Sequence, residues 1–256
     1  MQPTPERFRA LVRSSPWRWS TLRYVQKRDQ SGREDTPRRV FIRRPKLGRV
    51  ERLDGTLLRV HREPLRTVTP LSRRGDAPSI VVPIAADVEV ELDDDGLVRR
   101  RPGRFELDAD APMVGNYYDV AMLDPVELAD GGDDGPGAIV EDVRVVDHHG
   151  RQAWEAVLRP APSYDPLCPC CALLLSEELE DCGLGLREQD PSFVYPDAHR
   201  VRIDVATGVC VFNEQIGGTR DGSGHDIEIE AVDAPMGDEL FPEPPPSRWA
   251  RIFGRR

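Results

Sequence analysis

Aromatic residues are scarce in this chain of 256, at 6%, and cysteine occurs only five times. So few thiols, odd in number, argue against the disulfide framework that staples small secreted domains. No apolar run approaches the ~20 residues a helix needs to cross a bilayer, so no membrane span is expected. The first 25 residues hold Arg7, Arg9, Arg13, Arg18 and Arg23. They contain no apolar stretch of the ~7–15 residues that an export signal requires, which predicts a cytoplasmic protein. Catalytic signatures are missing too. There is no Gly-x-Ser-x-Gly elbow. The glycine-rich GGTRDGSG at 217–224 lacks the Lys-Ser/Thr of a phosphate-binding loop and leads into a strand pattern. The acidic turns DDDG and DGGDDG lack the ligand order of a calcium loop. No catalytic residue is assigned, and a binding role is favoured over an enzymatic one.

Charge is abundant, at 31% of residues, and unevenly spread. Up to Arg74 there are 20 Lys+Arg against 7 Asp+Glu, which leaves 15 against 38 beyond it. The overall charge of −10 thus divides into about +13 and −23. A basic third can signal nucleic acid. No zinc-finger spacing, helix-turn-helix or aromatic-interleaved motif accompanies it, so basic strands pairing with the acidic remainder are the expectation.

Periodicity predicts short strands joined by turns. PERFRALVRS at 5–14 reads as an amphipathic helix, with Phe8, Leu11 and Val12 on one side. Trp17 and Trp19 fall at strand spacing before Leu22–Val25. Val40–Ile42, Gly48–Leu53 and Leu57–Arg62 form a meander turning at Asp54-Gly55. DVEVEL at 87–92 alternates strictly and reads as a strand, and 119–129 as helical turns broken at Pro125. A hairpin is predicted over 139–147 and 152–159 around His148-His149-Gly150, a helix over 172–182, a hairpin around Thr207-Gly208, and a last strand with Ile227, Ile229 and Ala231 inward. Strands that succeed one another without helical crossovers favour an antiparallel α+β design. Residues 1–246 are read as one domain with a cysteine-containing insertion near 165–190, and 247–256 as a basic tail.

Three stretches carry a family likeness: VFIRRPKLGRVERLDGTLLRVH, GRQAWEAVLRP and HRVRIDVATGVCVFNEQ. Their Asp-Gly hairpin, Gly-Arg strand start and "Asp-x-x-Thr-Gly" hairpin resemble the lipoprotein-carrier superfamily, the LolA/RseB-like half-barrels. The resemblance implies a strongly curved antiparallel sheet with a few helices packed on its concave side. It also implies an apolar cradle. Carriers are exported and lack a cysteine insertion, so the likeness implies the cradle and not the transport of lipoproteins.

Two sets of site residues follow. Tyr117, Tyr118, Met122 and Trp154 are candidates to line the cradle around an apolar small molecule or a partner protein. Cys168, Cys170, Cys171 and Cys182 offer four thiolates, the number zinc takes in a tetrahedron, although Cys-x-Cys-Cys is not a pair of Cys-x-x-Cys knuckles. Small apolar packing is the alternative role for these thiols. Cys210, inside a strand, is read as packing, and His148, His149 and His225 as exposed turn residues. The leading expectation is a non-enzymatic binding protein with a β-sheet cradle. The alternative is a zinc-stabilised structural or adaptor protein.

Overall fold

A computed structural model describes residues 2–30, 33–34, 36–69, 78–103, 106–182 and 184–243. The basic tail expected at 247–256 lies outside them. Helix α1 (Pro5–Arg13) is followed by a short α2 (Ser15–Arg18), then by β1 (Thr21–Gln30), β2 (Arg33–Glu34), β3 (Arg38–Arg43), β4 (Leu47–Arg52) and β5 (Leu57–Arg62). Next come β6 (Thr67–Val68), β7 (Ile80–Val81) and α3 (Tyr117–Leu123). The second half supplies β8 (Ala138–His148), β9 (Arg151–Pro160), α4 (Leu186–Gln189), β10 (Ala198–Asp204), β11 (Cys210–Ile216) and β12 (Gly224–Val232).

The fold is α+β. Nine strands run in the order β5-β4-β3-β1-β12-β11-β10-β9-β8, with β2 paired to β1, and every pairing between them is antiparallel. β6 and β7 form a separate two-stranded sheet. Strand β12 lies in the middle, zipping the basic N-terminal meander to the acidic second half. Arg39 grips Glu230 at 2.9 Å and Arg23 reaches the same carboxylate at 3.0 Å. The large sheet is open, with β5 and β8 at its edges.

How strongly it is bent can be read from one contact. In ladder order β9, β10 and β11 separate β8 from β12. On a flat sheet that is about 19 Å at a strand spacing of about 4.8 Å. Yet His149, at the tip of the β8–β9 hairpin, places Nε2 2.8 Å from Asp226 Oδ1 on β12, and His148 Nε2 donates to Ile227 O at 3.0 Å. Strong twist and coiling of the sheet are needed to bring them together. A bulge between Glu141 and Arg144, with Asp142 at positive φ, helps β8 to bend. The result is the expected half-barrel.

Helices α1 and α3 pack on one face of this sheet and bury a shared core that includes Phe8, Leu11, Leu22, Ile42, Met122, Trp154, Leu158, Ile203 and Ile227. Thr4 caps α1 by accepting from Arg7 N, Pro5 starts it, and Ser14 closes it with a hydroxyl on Ala10 O. The β10–β11 turn sits against the end of this helix. Gly208, at φ +74, approaches Leu11 O so closely that no other residue fits. Asp54-Gly55 makes the expected turn, with Gly55 at φ +85.

Three expectations are corrected. Trp17 belongs to α2 and not to a strand, because Pro16 starts a helical turn there. DVEVEL forms no strand: Ala85–Asp87 is a 3-10 turn and Leu92 makes only an isolated bridge to Val98. Alternation supplies a face but not a ladder partner. Residues 172–182 are not one helix. Residues 172–176 bend at Leu173 and Leu174 and carry no regular structure, and Glu177–Cys182 turns as a 3-10 segment.

Candidate functional site

Three polar groupings stand out from the core. The first is on the inner face itself. Successive inward positions of β1 carry Leu22, Tyr24, Gln26 and Arg28, so the strand changes from apolar to charged along one face. Arg28 donates to Asp119 Oδ1 at 2.9 Å, with both side chains buried, and lies over the Tyr118 ring at 4.4 Å. Asp119 is also the third residue of α3. Its other oxygen accepts from Asn116 N while Asn116 caps the helix, so one carboxylate holds both the ion pair and the helix start. Beyond Tyr118 the chain of bonds continues. His225 Nε2 faces Cys210 O at 2.9 Å, which requires a proton on Nε2, so Nδ1 accepts from the Tyr118 hydroxyl at 2.7 Å. Burial drives the His225 pKa down to about 3, which keeps this imidazole neutral. Asn213 Nδ2 donates to Leu173 O at 2.6 Å, and the His199 ring lies between two acceptors, Asn213 Oδ1 at 3.1 Å from Nδ1 and Leu175 O at 3.0 Å from Nε2, one of which a neutral imidazole can serve. Asn213 and His199 thereby fasten the irregular segment 172–176 over β10 and β11.

The second grouping lies at the start of that covering segment. Cys168 turns through Pro169 and Cys170 to Cys171, whose amide donates back to Cys168 O at 2.9 Å. This tight turn brings the three sulfurs within 4.8 Å of one another, with Cys168 and Cys170 at 3.1 Å and Cys170 and Cys171 at 3.7 Å. Cys170 is exposed and the other two are partly so. Thiol hydrogen bonds from Cys168 and Cys171 hold Cys170 below the usual range, while burial and its neighbours push Cys168 up to about 12. The fourth expected ligand, Cys182, has its side chain outside the described ones. Cys210, the first residue of β11, is fully buried and burial raises its pKa, in keeping with the packing role read from the sequence.

The third grouping surrounds a cavity of about 720 Å³ flanking α3. Its walls come from residues 99–103, from Leu107, Ala109 and Asp110, from Tyr117 and Asp124 at the two ends of α3, from Val126 and Glu127 in the following 3-10 turn and from the acidic loop 130–135. Arg101 and Asp124 make a bidentate pair at 2.7 and 2.8 Å, and Arg13 holds Asp130 at 2.7 Å. Glu127 is fully buried at the wall, and its Oε1 accepts from Tyr164 Oη at 2.6 Å and from Leu173 N at 2.7 Å. Burial raises its pKa to about 7, opposed by those two hydrogen bonds and aided by Asp124. Asp110 is likewise raised by burial and by Asp124, and the Tyr117 hydroxyl lies 3.4 Å from its Oδ1.

The expected ligand set is therefore divided. Tyr117 lines the charged cavity, Tyr118 is a link in the inner-face hydrogen-bond chain, and Met122 and Trp154 are fully buried in the core and outside that cavity's lining. Among the described residues the inner face is filled by the chain's own side chains, and the cavity flanking α3, with its many charged residues, lies to one side. Glu127 and Asp110 escaped sequence reading because each stands in a segment without a motif. Proline-interrupted PVEL gave no hint that its glutamate would be buried.

The histidines were also misplaced. His148 and His225 are buried, not exposed. His148, His149 and Asp226 bring ligand atoms within 4.8 Å. A metal is ill suited there, because His148 Nδ1 accepts from Arg202 at 3.2 Å and Nε2 is committed to Ile227 O. The trio latches the hairpin tip. Comparison with family models, curated proteins and solved structures finds no match for this chain.

Proposed function

We propose that this chain is a non-enzymatic binding protein in which the half-barrel is the scaffold and the covering segment holds one thiophilic metal ion, zinc being the first candidate. The meeting of Cys168, Cys170 and Cys171 within 4.8 Å carries this reading. With zinc–sulfur bonds of about 2.3 Å, the edge of a tetrahedron is about 3.8 Å. The 3.7 Å between Cys170 and Cys171 matches that edge, and the 3.1 Å between Cys168 and Cys170 needs to widen by less than ~1 Å. A tetrahedral site takes a fourth ligand, for which the sequence offers Cys182. Bound metal locks the turn at 168–171 and so steadies the start of the strip that Asn213 and His199 hold over the sheet. A reducing, cytoplasmic setting keeps such thiols free to bind metal.

The test is metal content of protein purified under reducing conditions. One equivalent of zinc is expected, lost in Cys168→Ser and Cys171→Ser and retained in Cys210→Ser. Chelation is expected to raise amide exchange over 164–182 while the strands stay protected. Protein that remains below a tenth of an equivalent after reconstitution with zinc refutes the reading.

A second reading keeps the cradle's binding role, as the resemblance to lipoprotein carriers implies. The open antiparallel sheet with helices against one face supports it. The filled inner face and the charged lining of the flanking cavity point away from an acyl chain and towards a polar ligand.

A further inference from the structure

We infer that Cys168 and Cys170 form an oxidisable pair whose disulfide releases the metal held by the thiol turn. The consequence for metal rests on the metal reading of this turn, whereas the disulfide itself stands on the geometry. Cys168 Sγ and Cys170 Sγ lie 3.1 Å apart, closer than Cys170 and Cys171 at 3.7 Å. That separation falls between two bonded arrangements. A disulfide needs about 2.05 Å, and the edge of a zinc–thiolate tetrahedron about 3.8 Å. From 3.1 Å, closing by about 1 Å gives the first and opening by about 0.7 Å gives the second. The two states exclude each other, because a sulfur bonded into a disulfide is no longer a thiolate ligand.

Access and ring size choose the pair. Cys170 is exposed and is the thiol an oxidant meets first, while Cys168 and Cys171 are partly covered and Cys210 is sealed in the core. Cys171 is the poorer partner for Cys170. Its amide donates to Cys168 O at 2.9 Å and so fixes the turn, and neighbours in sequence close a ring too small for a relaxed trans peptide. Cys168 and Cys170 have Pro169 between them and close a wider ring. With a hydroperoxide as oxidant, the Cys170 sulfur attacks the terminal oxygen and the O–O bond breaks. The thiol proton leaves with the alkoxide as an alcohol, and Cys170 becomes a sulfenic acid. The Cys168 sulfur then attacks the Cys170 sulfur, the S–O bond breaks, and hydroxide leaves with the Cys168 proton as water. Two thiols and one hydroperoxide thus give a disulfide, an alcohol and water, and a thiol reductant reverses the oxidation by exchange.

Hydrogen peroxide is the probe, added to the full chain freed of metal and reductant. The intact mass is expected to fall by the two hydrogens of a single disulfide within one chain, and to recover with dithiothreitol. Differential alkylation of the parent assigns the pair without any substitution: Cys171 stays open to alkylation after oxidation, and Cys168 and Cys170 do not. The double variant Cys171→Ser/Cys182→Ser is expected to form the disulfide within about threefold of the parent rate. Adding Cys170→Ser to it is expected to slow oxidation at least about tenfold, and adding Cys168→Ser to leave a sulfenic acid that dimedone captures. Zinc-loaded protein is expected to release its metal to a coloured chelator in step with the disulfide. Protein that takes up no zinc refutes the metal reading alone, and mass and alkylation still decide the pair. No loss of mass in the parent, a disulfide that joins two chains or includes Cys171 or Cys182, or zinc retained once the disulfide has formed overturns the inference.

Discussion

Replacing Glu127 with glutamine should make the protein more stable at high pH and leave it nearly unchanged at low pH. Burial holds this carboxyl at about 7 against an ordinary 4.5. Its value in the folded state lies above that in the unfolded chain. Between pH 4.5 and 7 the folded protein therefore keeps a proton that the unfolded chain has lost, and rising pH favours unfolding. At 1.36 kcal/mol per pH unit, the gap corresponds to about 3 kcal/mol, complete above pH 7. Glutamine has no proton to lose, yet its Oε1 still accepts from Tyr164 and Leu173. Urea unfolding of both proteins at pH 4.5 and pH 8 isolates the effect, because all other titrating groups are common to the two. The variant should gain up to about 3 kcal/mol at pH 8 relative to the parent, and close to nothing at pH 4.5. In thermal unfolding, a chain of this length shifts by about 2–4 °C per kcal/mol. A stability difference that is the same at both pH values would refute the burial argument, and with it the placement of this carboxyl at the cavity wall.

Two further predictions probe the scaffold. Asp119→Ala removes the partner of buried Arg28, an acceptor for Gln26 and the capping bond of α3. A cost of about 3–5 kcal/mol in urea unfolding is expected, and less than 1 kcal/mol would show that Arg28 does not rely on this carboxylate. His148→Ala deletes the donor to Ile227 O and the acceptor for Arg202. It should cost about 1–3 kcal/mol and speed amide exchange at the β8–β9 hairpin tip. Unchanged exchange there would mean that something other than the latch bends the sheet.

Much of the architecture was legible in the chain. Short alternating runs, the turns at Asp54-Gly55 and Thr207-Gly208, and the absence of helical crossovers dictate an antiparallel α+β sheet, because side-chain period and turn chemistry are local properties. The cysteine turn was legible for the same reason: Cys168, Cys170 and Cys171 are near in sequence, and Pro169 folds them together. DVEVEL shows the limit of such reading, since a strand exists only where a neighbour offers its hydrogen bonds. Tertiary structure alone decided the rest. It placed β12 between β1 and β11, bent the β8–β9 tip back onto Asp226, and sank Trp154 and Met122 into the core. Above all it buried Glu127, and half-buried Asp110, beside a cavity. Burial and charge pairing depend on residues distant in sequence, such as Tyr164 for Glu127 and Arg28 for Asp119, and no pattern within one segment reports them.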